Sequence, residues 1–204
     1  MPVAFPSSDM GPIQLQLRPV VNLSDDEFFE FCQINRKLRI ERTVEGDLVI
    51  MPPAGGETGS KNAVLTTLVT SWALQDNTGV AFDSSTGFTL PNGAMRSPDA
   101  AWVRRSRLAS LTPTQKKKFL PLCPDFVIEL RSPSDNLKTV QEKMQEYLAN
   151  GAQLGLLLDP QDRRTYVYRP GAAVVRLDNP PSVSADPELP GFVLDLTHIW
   201  EGSF

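Results

Sequence analysis

The chain has 204 residues, 41% apolar and 22% charged, with a formal net charge of −4, an ordinary globular composition with enough length for one domain and a substantial core. It holds no apolar run long enough to span a membrane as a helix. Its single histidine, His198, and its two cysteines, Cys32 and Cys123, set at no metal-binding spacing, exclude a multi-histidine metal site and argue against a Ser-His-Asp triad.

In chain order, the opening MPVAFPSSDMGPIQLQLRPV lacks a charged start followed by an apolar block, which argues against secretion, and two cysteines suit a reducing cytosol. A cytoplasmic protein is expected, with residues 1–21 as an N-terminal lead and 22–204 as one domain. Ser24 followed by Glu27 is a capping-box signature, and DDEFFEFCQIN then reads as a short amphipathic helix. KLRIERTVEGDLVIM reads as a hairpin turning near Glu45-Gly46. After PPAGG a long helix is expected over about 57–77, then short strands at 80–82 and 88–90 and better ones at 97–103 and 124–130. A helix at about 137–150 should end on Gly151 in a left-handed cap. AQLGLLLDP and RTYVYRP read as two further strands, and the Pro-rich tail as edge strands and loops.

The segment CPDFVIELRSPSD, residues 123–135, carries charge on an apolar strand. Side chains alternate along a strand, so Asp125, Glu129 and Arg131 share one face with Val127, while Phe126, Ile128 and Leu130 take the other. Asp99 opens the preceding strand. If the two strands are neighbours, Asp99 and Glu129 lie side by side, and paired carboxylates suit a hard cation such as Mg²⁺. Asp125 competes for the role of first ligand. Its backbone is about 13 Å from that of Glu129 on the same strand, which favours Asp125 as a strand-entry residue bonding a loop. On the following helix Val140, Met144, Tyr147 and Leu148 form the apolar face, and Lys143 flanks it. Its amine either reaches the carboxylates or snorkels to water. Glu57, in a first helical turn, is explained by the helix dipole alone. From Arg104 to Lys118 the chain has six basic residues and no acidic one, either a solvated loop with a short helix or a rim that contacts phosphates.

Pro98-Asp99 followed by Glu129-x-Arg131 resembles the PD-(D/E)XK signature of restriction-endonuclease-like nucleases. The longer segments MPPAGGETGSKN, FDSSTGFTLPNGAMRSPDAAWV, PLCPDFVIELRSPSDNL, QEKMQEYLANGAQLGLLLDP and LPGFVLDLTHIW together resemble the Uma-two family within that superfamily, over nearly the whole chain from about residue 22. The resemblance implies an α/β (α+β) fold, a restriction-endonuclease-like mixed β-sheet flanked by helices. It also implies Mg²⁺ or Mn²⁺ held by Asp99, Glu129 and the carbonyl of Leu130, with Glu57 near the metal. Arg131 stands where the signature has lysine. An arginine cannot accept a proton from water, though it can clamp a phosphate; the resemblance places the catalytic lysine at Lys143 instead.

The expected function is metal-dependent endonucleolytic hydrolysis of DNA phosphodiesters, with Arg131, Arg104, Arg105, Lys116 and Lys117 contacting the substrate backbone. Two other readings stand beside it: a non-catalytic interaction module on a nuclease-like fold, and a hydrolase of small phosphorylated molecules. Apolar residues in the lead and tail, and the two-fold pairing common among nucleases that cut duplexes, point to a homodimer.

Overall fold

The computed structural model describes residues 11–201, so the expectation about a leader falls partly outside the described residues, as do the first ten residues of the lead. The chain begins with β1 (Ile13–Leu15) and α1 (Asp25–Ile34). The capping box forms as the sequence predicts: Ser24 Oγ accepts from the Glu27 N–H, and Glu27 Oε2 accepts from the Ser24 N–H at 2.8 Å. A hairpin of β2 (Arg39–Arg42) and β3 (Leu48–Met51) follows, then the long helix α2 (Gly56–Asp76). Next come β4 (Gly79–Asp83), β5 (Phe88–Thr89), β6 (Met95–Arg96) and β7 (Ala100–Arg104). The short α3 (Arg105–Ala109) and a 3₁₀ turn at Gln115–Lys117 lead to β8 (Phe126–Leu130). The helix α4 (Leu137–Ala149) precedes the hairpin of β9 (Leu154–Asp159) and β10 (Arg164–Tyr168). The tail supplies β11 (Val175–Asp178), β12 (Ser182–Ser184), β13 (Val193–Asp195) and a last turn of helix, α5 (Thr197–Trp200).

The strands form a six-stranded sheet in the order β11-β10-β9-β8-β7-β4, a five-stranded sheet β1-β3-β2-β6-β5, and the pair β12-β13. In the larger sheet only β8 and β9 run parallel, joined by α4 as crossover, so the sheet is mixed. The alternation read along β8 decides the layers. Phe126, Ile128 and Leu130 pack with Leu65, Val69 and Ala73 of α2 in one core, and Val127 packs with Met144 and Tyr147 of α4 in another. The two helices therefore cover opposite faces. A third core, of Phe28, Ile40, Leu48 and Met95, holds α1 against the smaller sheet. Gly155 lets α4 approach β9 closely, because a Cβ there would lie 2.4 Å from Met144 Cε. Gly151, at φ +109, takes the left-handed turn that ends α4.

Strands β7 and β8 are both shorter than expected, for one physical reason. The ladder pairs Ala100 with Ile128, which in continued register sets Pro98 opposite Leu130 and Pro124 opposite Arg104. A proline has no N–H for the ladder. The ladder stops at each end, and the adjacent aspartate caps the facing strand as an acceptor: Asp99 Oδ2 accepts from the Leu130 N–H, and Asp125 Oδ2 accepts from the Arg104 N–H, both at 2.9 Å. The two Pro-Asp pairs thus close opposite ends of one strand pair.

Candidate active site

The closure at the Leu130 end leaves Asp99 Oδ1 for other partners, Asn62 Nδ2 of α2 at 3.2 Å and Arg39 NH2 of β2 at 3.6 Å. Continued register also sets Asp99 opposite Glu129, on the face covered by α4. On that helix Lys143 and Tyr147, four residues apart, present their polar ends to the same strand. Lys143 Nζ lies 2.9 Å from Glu129 Oε1, and Tyr147 Oη donates to the same oxygen at 2.9 Å. Lys143 also donates to Glu41 Oε1, from β2 of the smaller sheet, at 2.9 Å. Glu41 is held in turn by the Ser97 N–H at 2.9 Å and by Arg96 NH1 at 3.2 Å, and Arg96 Nε bonds Glu146 Oε2 at 2.6 Å. The site is the place where the two larger sheets and α4 meet.

Three carboxylates, Glu41, Asp99 and Glu129, are buried here. Burial raises the Asp99 carboxyl above its usual range, against the pull of Arg39. Burial first, and then the charges of Asp99 and Glu41, push Glu129 up to about 7 despite Lys143. Glu41 moves the other way. Burial would raise it, but Lys143, Arg96 and the Ser97 N–H together hold it below the usual value. Glu129 and Glu41 share Lys143, and their opposite shifts follow from their remaining neighbours, an anion for Glu129 and a second cation for Glu41. Between its two carboxylates Lys143 is held above its ordinary value, although burial opposes this. It is an ammonium at neutral pH.

The structure brings Asp99, Glu129 and Lys143 together, and Leu130 belongs to the same strand end through its N–H. The other sequence-predicted residues lie elsewhere or have other partners. Glu57 is exposed and pairs with Lys61 at 2.6 Å; the side chain through which α2 bonds Asp99 is Asn62, further along the helix. Arg131 NH1 bonds the fully buried Asp159 at 2.9 Å, and its Nε donates to the Asp135 carbonyl. Arg104 and Arg107 pair with Asp125, and Arg105 Nε donates to the Asn77 carbonyl. This basic end of β7 is about 13 Å or more along the strand from Asp99. Lys116 and Lys117 are exposed in the 3₁₀ turn. Asp125 stands at strand entry as expected, but it bonds the end of β7 and Arg107 of α3 rather than a loop.

Sequence reasoning did not single out Glu41, Arg96, Asn62, Arg39 or Tyr147. A signal existed for three of them. Arg39 and Glu41 alternate with the buried Ile40 on a hairpin arm, the same charged face that marked β8. Tyr147 falls on the apolar face of α4, and a buried tyrosine hydroxyl needs a partner.

Among the described residues no group of three or more His, Cys, Asp or Glu could hold a metal ion by itself. Mg²⁺ does not require one, because it keeps several waters and takes one or two carboxylates plus phosphate oxygens. The donors present suit it: the side chains of Asp99 and Glu129, the Leu130 carbonyl and, beside Asp99, the buried Asn62 Oδ1, which has no partner among the described residues.

A family model described as "Putative restriction endonuclease", Uma2, matches residues 25–197. The fold is similar to a crystal structure titled as that of "a putative nuclease belonging to DUF820" from Anabaena variabilis, with a TM-score of 0.69 at 22% identity, over 88% of this chain and 98% of that one. No curated protein matches the chain. The mixed sheet flanked by helices is therefore the nuclease-like fold that the sequence led us to expect.

Proposed function

The chain belongs to the Uma2 family of restriction-endonuclease-like proteins, and on that premise we propose that it is a metal-dependent nuclease hydrolysing DNA phosphodiester bonds at Asp99, Glu129 and Lys143. The observation that carries the reading is a buried carboxylate raised to about 7, set across a strand pair from a second one and touched by a buried lysine. Such closeness is costly for a scaffold and useful to a cation site.

Asp99, Glu129 and the Leu130 carbonyl would hold Mg²⁺ or Mn²⁺. When bound, the cation supplies Lewis acidity toward a phosphoryl oxygen and toward a water. Tyr147 fixes the orientation of Glu129 through Oε1. Lys143, kept protonated by Glu129 and Glu41, serves as a fixed positive charge for the negative charge that gathers on the phosphoryl oxygens, rather than as a base. Glu57 stands at the entry of α2 and acts only through a shift toward the site. Arg104, Arg105, Lys116 and Lys117 would contact backbone remote from the scissile bond, where phosphate contacts give affinity without sequence preference. Arg131 is tied to Asp159 and reaches substrate only by leaving it.

The test is cleavage of plasmid and single-stranded DNA with Mg²⁺ or Mn²⁺. Wild type should cut, and Glu129→Gln should not; equal cutting by both would sink the reading. A non-catalytic module on the same fold is favoured by the ion-paired Arg131 standing where the signature has lysine. It predicts no cutting by wild type and no cation binding at Asp99.

The reading includes a homodimer in the cytoplasm. The exposed apolar side chains of Ile13, Leu15, Val20, Val21 and Ile34 support the dimer, and light scattering that finds a monomer at micromolar concentration removes it. Among the described residues no helix is long and apolar enough to cross a membrane.

A further inference from the structure

Asp99 Oδ1 is flanked by Asn62 and Arg39, and each of these side chains carries a second buried polar atom that no group among the described residues satisfies: Asn62 Oδ1 and Arg39 Nε. Buried polar groups are overwhelmingly paired in native proteins, so a lone donor and a lone acceptor on two neighbours of one carboxylate oxygen require a reason. The amide orientation of Asn62 is fixed by chemistry, since a flipped amide would set its oxygen against the Asp99 carboxylate. Arg39 NH2 donates to the Ser97 carbonyl at 2.8 Å, which holds the guanidinium beside Asp99. The Arg39 side chain is 35% exposed and that of Asp99 10%, so Arg39 borders the solvent side of the pair.

We infer that Arg39 and Asn62 bind substrate at Asp99, Arg39 gripping a phosphate of the nucleic-acid backbone and Asn62 Oδ1 accepting from the cation's water or ligating the cation itself. The inference rests on the nuclease reading and names two binding residues that it lacked. Nε–H and one hydrogen of NH2 form a two-pronged edge that matches two phosphate oxygens, a geometry arginine provides and lysine does not. Asp99, Glu129 and Glu41 would repel a bare anion from this place. The ligand is therefore a phosphodiester that arrives with a divalent cation: the cation answers the acceptor on Asn62, and the phosphate answers the donor on Arg39. In the ligand-free protein Arg39 acts as a counter-ion to Asp99, and it exchanges that carboxylate for the phosphate on binding.

The experiment measures fluorescence anisotropy of a short phosphorothioate oligonucleotide with Ca²⁺, for wild type, Arg39→Met and Arg39→Lys, alongside Mn²⁺ binding by electron paramagnetic resonance for these and Asn62→Leu. Arg39→Met should weaken oligonucleotide binding roughly 10- to 100-fold, the loss of charge-assisted hydrogen bonds, and reduce the salt slope by about one phosphate. Its Mn²⁺ affinity should not fall, because Arg39 ligates no metal and its removal takes a competing positive charge from Asp99. Arg39→Lys should recover only part of the affinity, and Asn62→Leu should weaken Mn²⁺ binding. Oligonucleotide affinity unchanged in both Arg39 variants overturns the inference and leaves the nuclease reading standing. If Arg39→Met fails to fold, unchanged affinity in Arg39→Lys overturns it alone. Wild type that binds neither Mn²⁺ nor oligonucleotide removes the nuclease reading, and this inference with it.

Discussion

Lys143 of α4 meets Glu129 of β8 at 2.9 Å, although α4 follows β8 as the crossover to β9 and thus begins beyond the strand's end. The helix folds back over the sheet, and the turn that covers the strand's end carries both the lysine and Tyr147. One short stretch of chain therefore supplies a carboxylate, its cation and the hydroxyl that orients it. Lys143→Met should slow cleavage by about 10²-fold, the loss expected for one fixed electrostatic group, while Mn²⁺ affinity changes little. Single-turnover rates and a Mn²⁺ titration of the same preparation separate the two effects.

Glu129 makes stability depend on pH in the metal-free protein. Its folded value is raised from 4.5 to about 7, so its favourable contribution is fully present below about 4.5 and is lost as pH rises through about 7. Glu41, held low, contributes in the opposite sense, and only in acid, where its stabilisation is lost as pH falls through its folded value. Urea midpoints measured with a chelator should therefore drop between about pH 5 and 8. Glu129→Gln should flatten that drop, and Mg²⁺ should offset it in wild type only. A midpoint that rises over this window would contradict the assignment.

Arg131 tests the division between catalytic and structural charge. Arg131→Met leaves the fully buried Asp159 without its cation, and breaking a buried pair from one side costs about 3–5 kcal/mol. We expect a destabilised protein whose Mn²⁺ affinity, measured below its unfolding range, equals that of wild type. A stable variant with weakened DNA binding would move Arg131 into the substrate site.

Gly79 tests the packing that seats β7. A Cβ at this position would lie 2.1 Å from Cε2 of the Trp102 ring, a rigid group in the core beneath α2. Gly79→Ala should therefore cost about 1–3 kcal/mol through overpacking, measured by urea denaturation. A neutral result would mean that the ring can turn away.

The sequence was legible where one local rule decided the outcome. Ser24 and Glu27 set the start of α1, Gly151 the end of α4, and strict alternation along 126–130 the two faces of β8. It was less legible where elements far apart in the chain converge. Glu41, Arg39 and Asn62 reach the site from β2 and α2; the alternation of Arg39 and Glu41 about Ile40 marks a charged strand face, but nothing in it says that this face meets β8. The basic run at 104–118 reads as one patch, yet its arginines turn to Asp125 and to the Asn77 carbonyl at the strand end remote from Asp99. The Pro-Asp pairs show how one motif can hold two roles. Both close the β7–β8 ladder, but only Asp99 closes it beside a second carboxylate and a lysine.

The most direct measurement is anomalous diffraction from crystals of this protein soaked in Mn²⁺. The account predicts one strong peak between the carboxylates of Asp99 and Glu129, within coordination distance of both, and its loss in Glu129→Gln crystals soaked in the same way. Wild-type crystals with no peak there, or with a peak that survives the substitution, would contradict it.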